Sequence, residues 1–136
     1  MTEVNVEPGA VIPELKVTPD KYLPHRYAGA SGDFNPIHID REFAQQVGLP
    51  SNILHGLYSM AQVARACTTA AGGDPRSLRR LSVQFRGMGF PEHEMTVTGS
   101  ERESRNGHTL VDVVAEQDGQ QIIRNAEAEL DLLGLA

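Results

Sequence analysis

Two hydrophobic periods divide the chain. Between residues 53 and 71 apolar side chains recur at helical spacing: Ile53, Leu54, Leu57, Met60, Ala61, Ala64, Cys67 and Ala71 trace one stripe, and Tyr58, Val63 and Ala66 lie off it. A helix that is apolar nearly all round is expected to be buried. Ser51 or Asn52 would cap it, and Gly72-Gly73 would end it. From Leu78 the pattern alternates. Leu81, Val83 and Phe85 interleave with Arg80, Ser82, Gln84 and Arg86, and Met95, Val97 and Gly99 with Thr96 and Thr98. Leu110 to Ala115 and Ile122 to Leu132 read as two further strands, with hairpin turns at Asn106-Gly107 and Asp118-Gly119.

The first third is less regular. Residues 1–10 read as a loose lead-in. Gly9 to Val17 carries Val11, Ile12, Leu15 and Val17 but is broken by Pro13, which suits an irregular extended segment at a sheet edge. Thr18 or Asp20 can open a helix over Pro19 to Pro24 that Pro24 keeps short. Asp40 can cap another over Arg41 to Val47, with Phe43, Ala44 and Val47 as its apolar face and Gly48 as its stop. A buried helix needs a sheet to cover it. The pattern alone therefore predicts an α+β fold, with an antiparallel meander of about four strands and at least one earlier strand, and the simplest arrangement curves that sheet around the single long helix. Such a sheet leaves an edge and part of the helix uncovered, so pairing with a second copy is expected.

Composition narrows the classes. The chain has 136 residues, 40% of them apolar, which is enough for one domain over 1–136. No apolar run approaches the length of a membrane span, and the N-terminus carries acids rather than a signal pattern, so no membrane association and a cytoplasmic location are the expectations. A net charge of −6 argues against nucleic-acid binding. The lone cysteine, Cys67, permits no intrachain disulfide and no all-cysteine zinc site, and its apolar neighbours suggest an inert buried thiol. His25, His93 and His108 have no clustered acids or thiols that would complete a metal set, and no Gly-rich phosphate loop follows a strand, so neither a metal nor a nucleotide cofactor is indicated.

The densest chemistry lies in Ala28-Gly-Ala-Ser-Gly-Asp-Phe-Asn-Pro-Ile-His-Ile-Asp40. Asp33, Asn35, Pro36 and His38 fall within six residues, and Gly29, Gly32 and Pro36 break regular structure, which predicts a shaped loop. A loop that presents a carboxylate and an imidazole suits acid–base chemistry. On spacing alone, an Asx–Pro turn with a structural histidine would leave the same trace.

Gly32-Asp-Phe-Asn-Pro-Ile-His38 with Asp40, followed by Ile53-Leu-His-Gly-Leu57 at the start of a helix, resembles the two signature blocks of the MaoC-like (R)-specific enoyl-thioester hydratases and dehydratases. The resemblance is strong from Tyr27 to Ala66 and weak beyond. It implies a single MaoC-like hot-dog domain, dimeric, with active sites at the subunit boundary. The partner would be an identical chain or a second hot-dog subunit. It implies a hydro-lyase that interconverts trans-2-enoyl and (R)-3-hydroxyacyl thioesters, with Asp33 and His38 as the catalytic groups, the Gly56 N–H polarising the thioester carbonyl, and Asn35 shaping the loop or touching the substrate. His55 is left out of the catalytic set as structural. Coenzyme A or an acyl carrier protein would enter as part of the substrate, with no separate cofactor. Arg79, Arg80 and Arg86, clustered with Arg76, would meet the anionic carrier. A hot-dog thioesterase, or the catalytic subunit of a heteromeric dehydratase for a bulky acyl-CoA, is the alternative. One region departs from the family pattern. Phe85-Arg-Gly-Met-Gly-Phe-Pro-Glu-His-Glu94 has two extra glycines, and His93 stands where glycine is common, which bears on the strand register and the tunnel wall.

Overall fold

The structure, a computed structural model, describes residues 11–105 and 107–131. The expected lead-in over residues 1–10, Asn106 of the first hairpin and Leu132 of the last strand lie outside the described residues.

Five strands form one antiparallel sheet in the order β1-β3-β4-β5-β2. They are β1 (Val11–Val17), β2 (Leu78–Phe85), β3 (Met95–Arg105), β4 (His108–Gln117) and β5 (Gln120–Asp131). The alternation of the sequence sets the register: Val97 faces Ala115, and Val111 faces Ala128. Asp118 and Gly119 both take positive φ, 52° and 76°, as a two-residue turn that matches strand twist requires. Pro13 sits where the β1–β3 register slips between Ile12 and Leu15, as an edge strand tolerates. β5 carries a second irregularity. Its ladders with β2 and β4 both shift around Asn125, which has φ 50°, and such a bulge bends the sheet.

The bent sheet wraps α4 (Gly56–Ala70), which contacts all five strands. Tyr58, Val63, Ala66, Cys67 and Ala70 pack against Met95, Val97, Val111, Val113, Ile123, Ala128 and Leu130 in one buried cluster. This is the α+β hot-dog architecture that the sequence led us to expect. No helix among the described residues is long and apolar enough to cross a membrane.

Four sequence expectations need correction. Helix α4 starts at Gly56, not Ile53, and neither Ser51 nor Asn52 is its N-cap; His55 holds that position without a side-chain cap. Ile53 and Leu54 are apolar for another reason: they run extended, with Ile53 N–H bonded to Ile37 O and Leu54 N–H to Gly89 O. The helix is one-sided, not buried all round, because Leu57 is 62% exposed and Ala61 and Arg65 face outward with it. Pro24 does not cut a helix short. It lies in the first turn of α1 (Leu23–Ser31), where its missing N–H costs nothing. Finally, Pro36 opens a helical turn, α2 (Pro36–Ile39), so within 28–40 only residues 32–35 and the capping residue Asp40 lie outside helices. The short helix α3 (Arg41–Gln46) follows, with Asp40 Oδ1 accepting from Phe43 N–H as its cap.

Candidate active site

Residues 32–35 form a chain of local hydrogen bonds. Gly32 leaves α1 at φ 81°, a conformation that favours glycine. Asp33 N–H donates to Ser31 Oγ at 3.2 Å, Asn35 N–H to Asp33 Oδ1 at 3.2 Å, and Ile37 N–H to Asn35 Oδ1 at 3.2 Å. Asn35 is thus the cap of α2 and the group that holds one carboxylate oxygen of Asp33. The other oxygen, Oδ2, stands 3.7 Å from His38 Nε2.

His38 is held more deeply. It is buried, and its Nδ1 lies 2.8 Å from Ile53 O. A carbonyl only accepts, so Nδ1 is the donor there, and Nε2 is the ring nitrogen that faces Asp33. Asn52, buried, donates from Nδ2 to His38 O at 2.8 Å and fixes the turn from the other side. The extended 53–54 segment thereby serves the site as well as the fold.

His55 lies at the centre of the cluster. Its ring stacks on that of His38 with centroids 3.9 Å apart and planes 22° from parallel, and Tyr27 covers the opposite face at 4.6 Å. His55 Nε2 lies 3.0 Å from Asp33 O, which identifies it as the protonated nitrogen. Its Nδ1 is buried and has no hydrogen-bond partner among the described residues.

Gly56 opens α4 beside this pair. The first N–H groups of a helix have no intrahelical acceptor and sit at its positive end. A Cβ on Gly56 would stand 3.2 Å from Phe85 Cε1, so the approach to its backbone is tight. His38, Leu54, Gly56, Ser59, Phe85 and Met88 line a cavity of about 170 Å³. A wider groove of about 530 Å³, bounded by Arg41, Met88, Phe90, His93 and Gln120, contains neither Asp33 nor His38. The smaller cavity is lined by His38 and Gly56, and Asp33 lies outside its lining.

The structure therefore brings Asp33, Asn35, His38 and Gly56 together. It does not gather the arginines. Strand β2 separates Arg79 and Arg80 from Arg86 by roughly 20 Å at about 3.3 Å per residue. Arg76 is chelated by Asp74, Arg80 pairs with Glu127, and Arg86 donates to Gln84 Oε1. Of the three, Arg86 is the one flanked by cavity residues, Phe85 and Gly87. Phe85 and Met88 lie in the stretch that the sequence tied to the tunnel wall, whereas sequence reasoning missed Gln117. Gln117 is buried and clamps the loop beyond Met88 by accepting from Phe90 N–H and donating to Phe90 O and His93 O. In that loop Glu92 takes φ 71°, and His93 Nδ1 pairs with Asp118 Oδ2 at 2.6 Å.

Asp33, His38 and His55 offer three ligand-type atoms within 4.8 Å of one another. They do not fit a tetrahedral metal. His38 Nε2 and His55 Nδ1 are the nitrogens not turned to carbonyls, and the in-plane lone pairs of two stacked rings run side by side rather than converge on one ion. Burial pushes the Cys67 thiol up to about 12, which makes it unreactive, and burial likewise raises the Tyr58 hydroxyl.

Comparison with known proteins adds independent findings. A family model described as MaoC like domain matches residues 6–121. The fatty acid synthase subunit beta of Aspergillus oryzae is 36% identical over 108 residues, covering 77% of this chain and 5% of that one. Peroxisomal enoyl-CoA hydratase 2 of Arabidopsis thaliana is 37% identical over 79 residues, covering 57% of this chain and 25% of that one. This chain thus spans only a small part of these curated relatives. Among solved structures, a chain of the ChsH1-ChsH2 complex from Mycobacterium tuberculosis has a TM-score of 0.82 at 25% identity, covering 92% of this chain and 97% of that one.

Proposed function

The chain belongs to the MaoC-like domain family, and from that premise we propose that it is a hydro-lyase that reversibly hydrates trans-2-enoyl thioesters to (R)-3-hydroxyacyl thioesters. The observation that carries this reading is His38 Nε2 facing Asp33 Oδ2 across 3.7 Å, beside the first turn of α4.

Hydration needs three things. Water must lose a proton as its oxygen bonds C3 of the enoyl group. C2 must gain a proton. The negative charge that grows on the thioester oxygen between those events must be held. Asp33 and His38 can grip one water, and together they take its proton and supply the one at C2. Such transfers are each worth ~100- to 10,000-fold. A water held from one side adds both its parts to one face of the double bond. The Gly56 N–H is the donor to the thioester oxygen, a contact worth about 3–4 kcal/mol in the transition state. Asn35 contributes by fixing Asp33 and capping α2.

The acyl group arrives on coenzyme A or an acyl carrier protein, and no further cofactor takes part. Arg86, next to the cavity, is the best placed arginine to meet the anionic carrier, with Arg79 and Arg80 farther along the edge strand. The working unit is a dimer. β2 is an edge strand of the sheet, and Leu57, Phe85 and Met88 are large apolar residues left exposed around the site. An identical chain is the first choice of partner, and a second hot-dog subunit is the alternative.

The test is direct. Purified protein with crotonyl-CoA, and separately with a longer enoyl-CoA, is followed through the absorbance of the conjugated thioester and through release of free thiol. Loss of absorbance without thiol release supports the hydratase. Thiol release in its place would shift the assignment to a thioesterase.

A further inference from the structure

His55 carries two structural liabilities at once. It occupies the N-cap of α4 yet makes no side-chain cap, where Ser, Thr, Asp or Asn would stabilise the helix. It also buries Nδ1 with no partner among the described residues, at 2% exposure for the residue as a whole. A buried unpartnered nitrogen is a cost that phenylalanine, with a ring of similar reach, would not carry. Packing alone is therefore a poor account of a histidine here.

The compensating asset is geometric. Through Nε2–H the ring holds the backbone carbonyl of Asp33, 22 positions earlier, at 3.0 Å. Through its face it sets the plane of His38, 3.9 Å away, while Tyr27 presses on the other side. Its own backbone leads directly into Gly56, the first residue of α4. One residue thus links the Asp33 loop and the His38 turn, through its side chain, to the helix end at Gly56, through its backbone.

We infer that His55 is a positioning residue that locks Asp33 and His38 in register with the Gly56 N–H. This rests on the hydratase reading for its kinetic consequence, though not for its geometry. Misplacing a reacting group by about 1 Å can cost on the order of a hundredfold.

Two variants separate donor from ring. His55→Phe keeps a stacking ring and removes the bond to Asp33 O; His55→Gln keeps an N–H at similar reach and loses the stack. In crotonyl-CoA hydration, His55→Phe is expected to lower kcat roughly 10- to 100-fold with KM within about threefold, because positioning is lost and binding is not. His55→Gln should recover part of that kcat. Unchanged kcat in His55→Phe, or a loss that tracks only the folded fraction, overturns the inference. A second readout needs neither variant nor activity. Ring ¹⁵N spectra of the unmodified protein at neutral pH should show His55 protonated at Nε2 and bare at Nδ1. A proton on Nδ1 in place of Nε2 overturns the clamp. A wild-type protein that fails to hydrate crotonyl-CoA but shows this tautomer contradicts the hydratase reading and leaves the clamp supported.

Discussion

His38 Nε2 stands 3.7 Å from Asp33 Oδ2, too far for a direct hydrogen bond and close enough for one water to touch both. The rest of the His38 ring is committed to holding that face outward, because Nδ1 is bonded to Ile53 O. Replacing His38 by Asn leaves an N–H to serve Ile53 O and removes the nitrogen that faces Asp33. His38→Asn is expected to lower kcat for enoyl-CoA hydration by ~100- to 10,000-fold with little change in KM. Steady-state kinetics checks this, with a melting curve to confirm the fold.

Gly56→Ala should separate activity from stability. Alanine favours a helix over glycine by about 1 kcal/mol. The new Cβ would lie 3.2 Å from Phe85 Cε1, on a ring that is 51% exposed and so able to yield. Stability is expected to hold or rise. The same methyl intrudes where the thioester must reach the backbone N–H, so kcat/KM should fall by at least roughly tenfold, the loss of part of one oxyanion contact. Melting temperature and kcat/KM measured on one preparation test the opposite signs.

Gln117→Leu should loosen the loop from Phe90 to His93. The amide satisfies Phe90 N–H, Phe90 O and His93 O, and leucine satisfies none of them. The expected loss is roughly 2–4 kcal/mol, since buried polar groups without partners cost about 1–3 kcal/mol each and some will find water. Urea denaturation gives the number.

Cys67 sets a pH dependence. Burial raises the folded thiol from its ordinary 9.0 to about 12. Above pH 9 the unfolded chain loses this proton while the folded chain keeps it, so the unfolded state binds fewer protons and stability falls as pH rises. Between pH 9 and about 12 the slope from this group is about 1.4 kcal/mol per pH unit. Cys67→Ala should flatten that slope, although it leaves a small cavity and lowers stability at neutral pH. Denaturant melts at pH 8, 9 and 10 on both proteins measure the difference. In the folded protein the thiol should react with a disulfide reagent only as fast as the chain opens.

Much of the fold was legible because alternation and turn chemistry agree. Val97, Val111 and Val113 alternate toward the core, and Asp118-Gly119 supplies the two positive φ angles that the second hairpin needs. The pairing of Asp33 with His38 was legible because both share a short stretch with a recognisable pattern. What was hidden depended on contacts distant in sequence. Ile53 and Leu54 extend the apolar stripe of α4, yet Ile37 and Gly89 hold them out of it. Pro24 looks like a helix breaker until the first turn of α1 forms around it. Phe85 alternates like a core residue, but it ends an edge strand and stays half exposed above Gly56. No spacing marks His55 as the neighbour of His38, since their stack exists only after α2 and α4 have packed. The arginines cluster in sequence and are then drawn apart, because an extended strand turns proximity along the chain into distance.

The most direct test compares the unmodified protein with Asp33→Asn on crotonyl-CoA, reading both the rate of hydration and the configuration of the product. Asn keeps an Oδ1 for Asn35 N–H, so the loop should survive the exchange. We expect the unmodified protein to form (R)-3-hydroxybutyryl-CoA, and Asp33→Asn, with the same melting temperature and the same oligomeric state, to do so at least ~100-fold more slowly. Equal rates for the two proteins, or an (S) product from the unmodified one, would contradict the assignment of Asp33 and His38 as the pair that activates water.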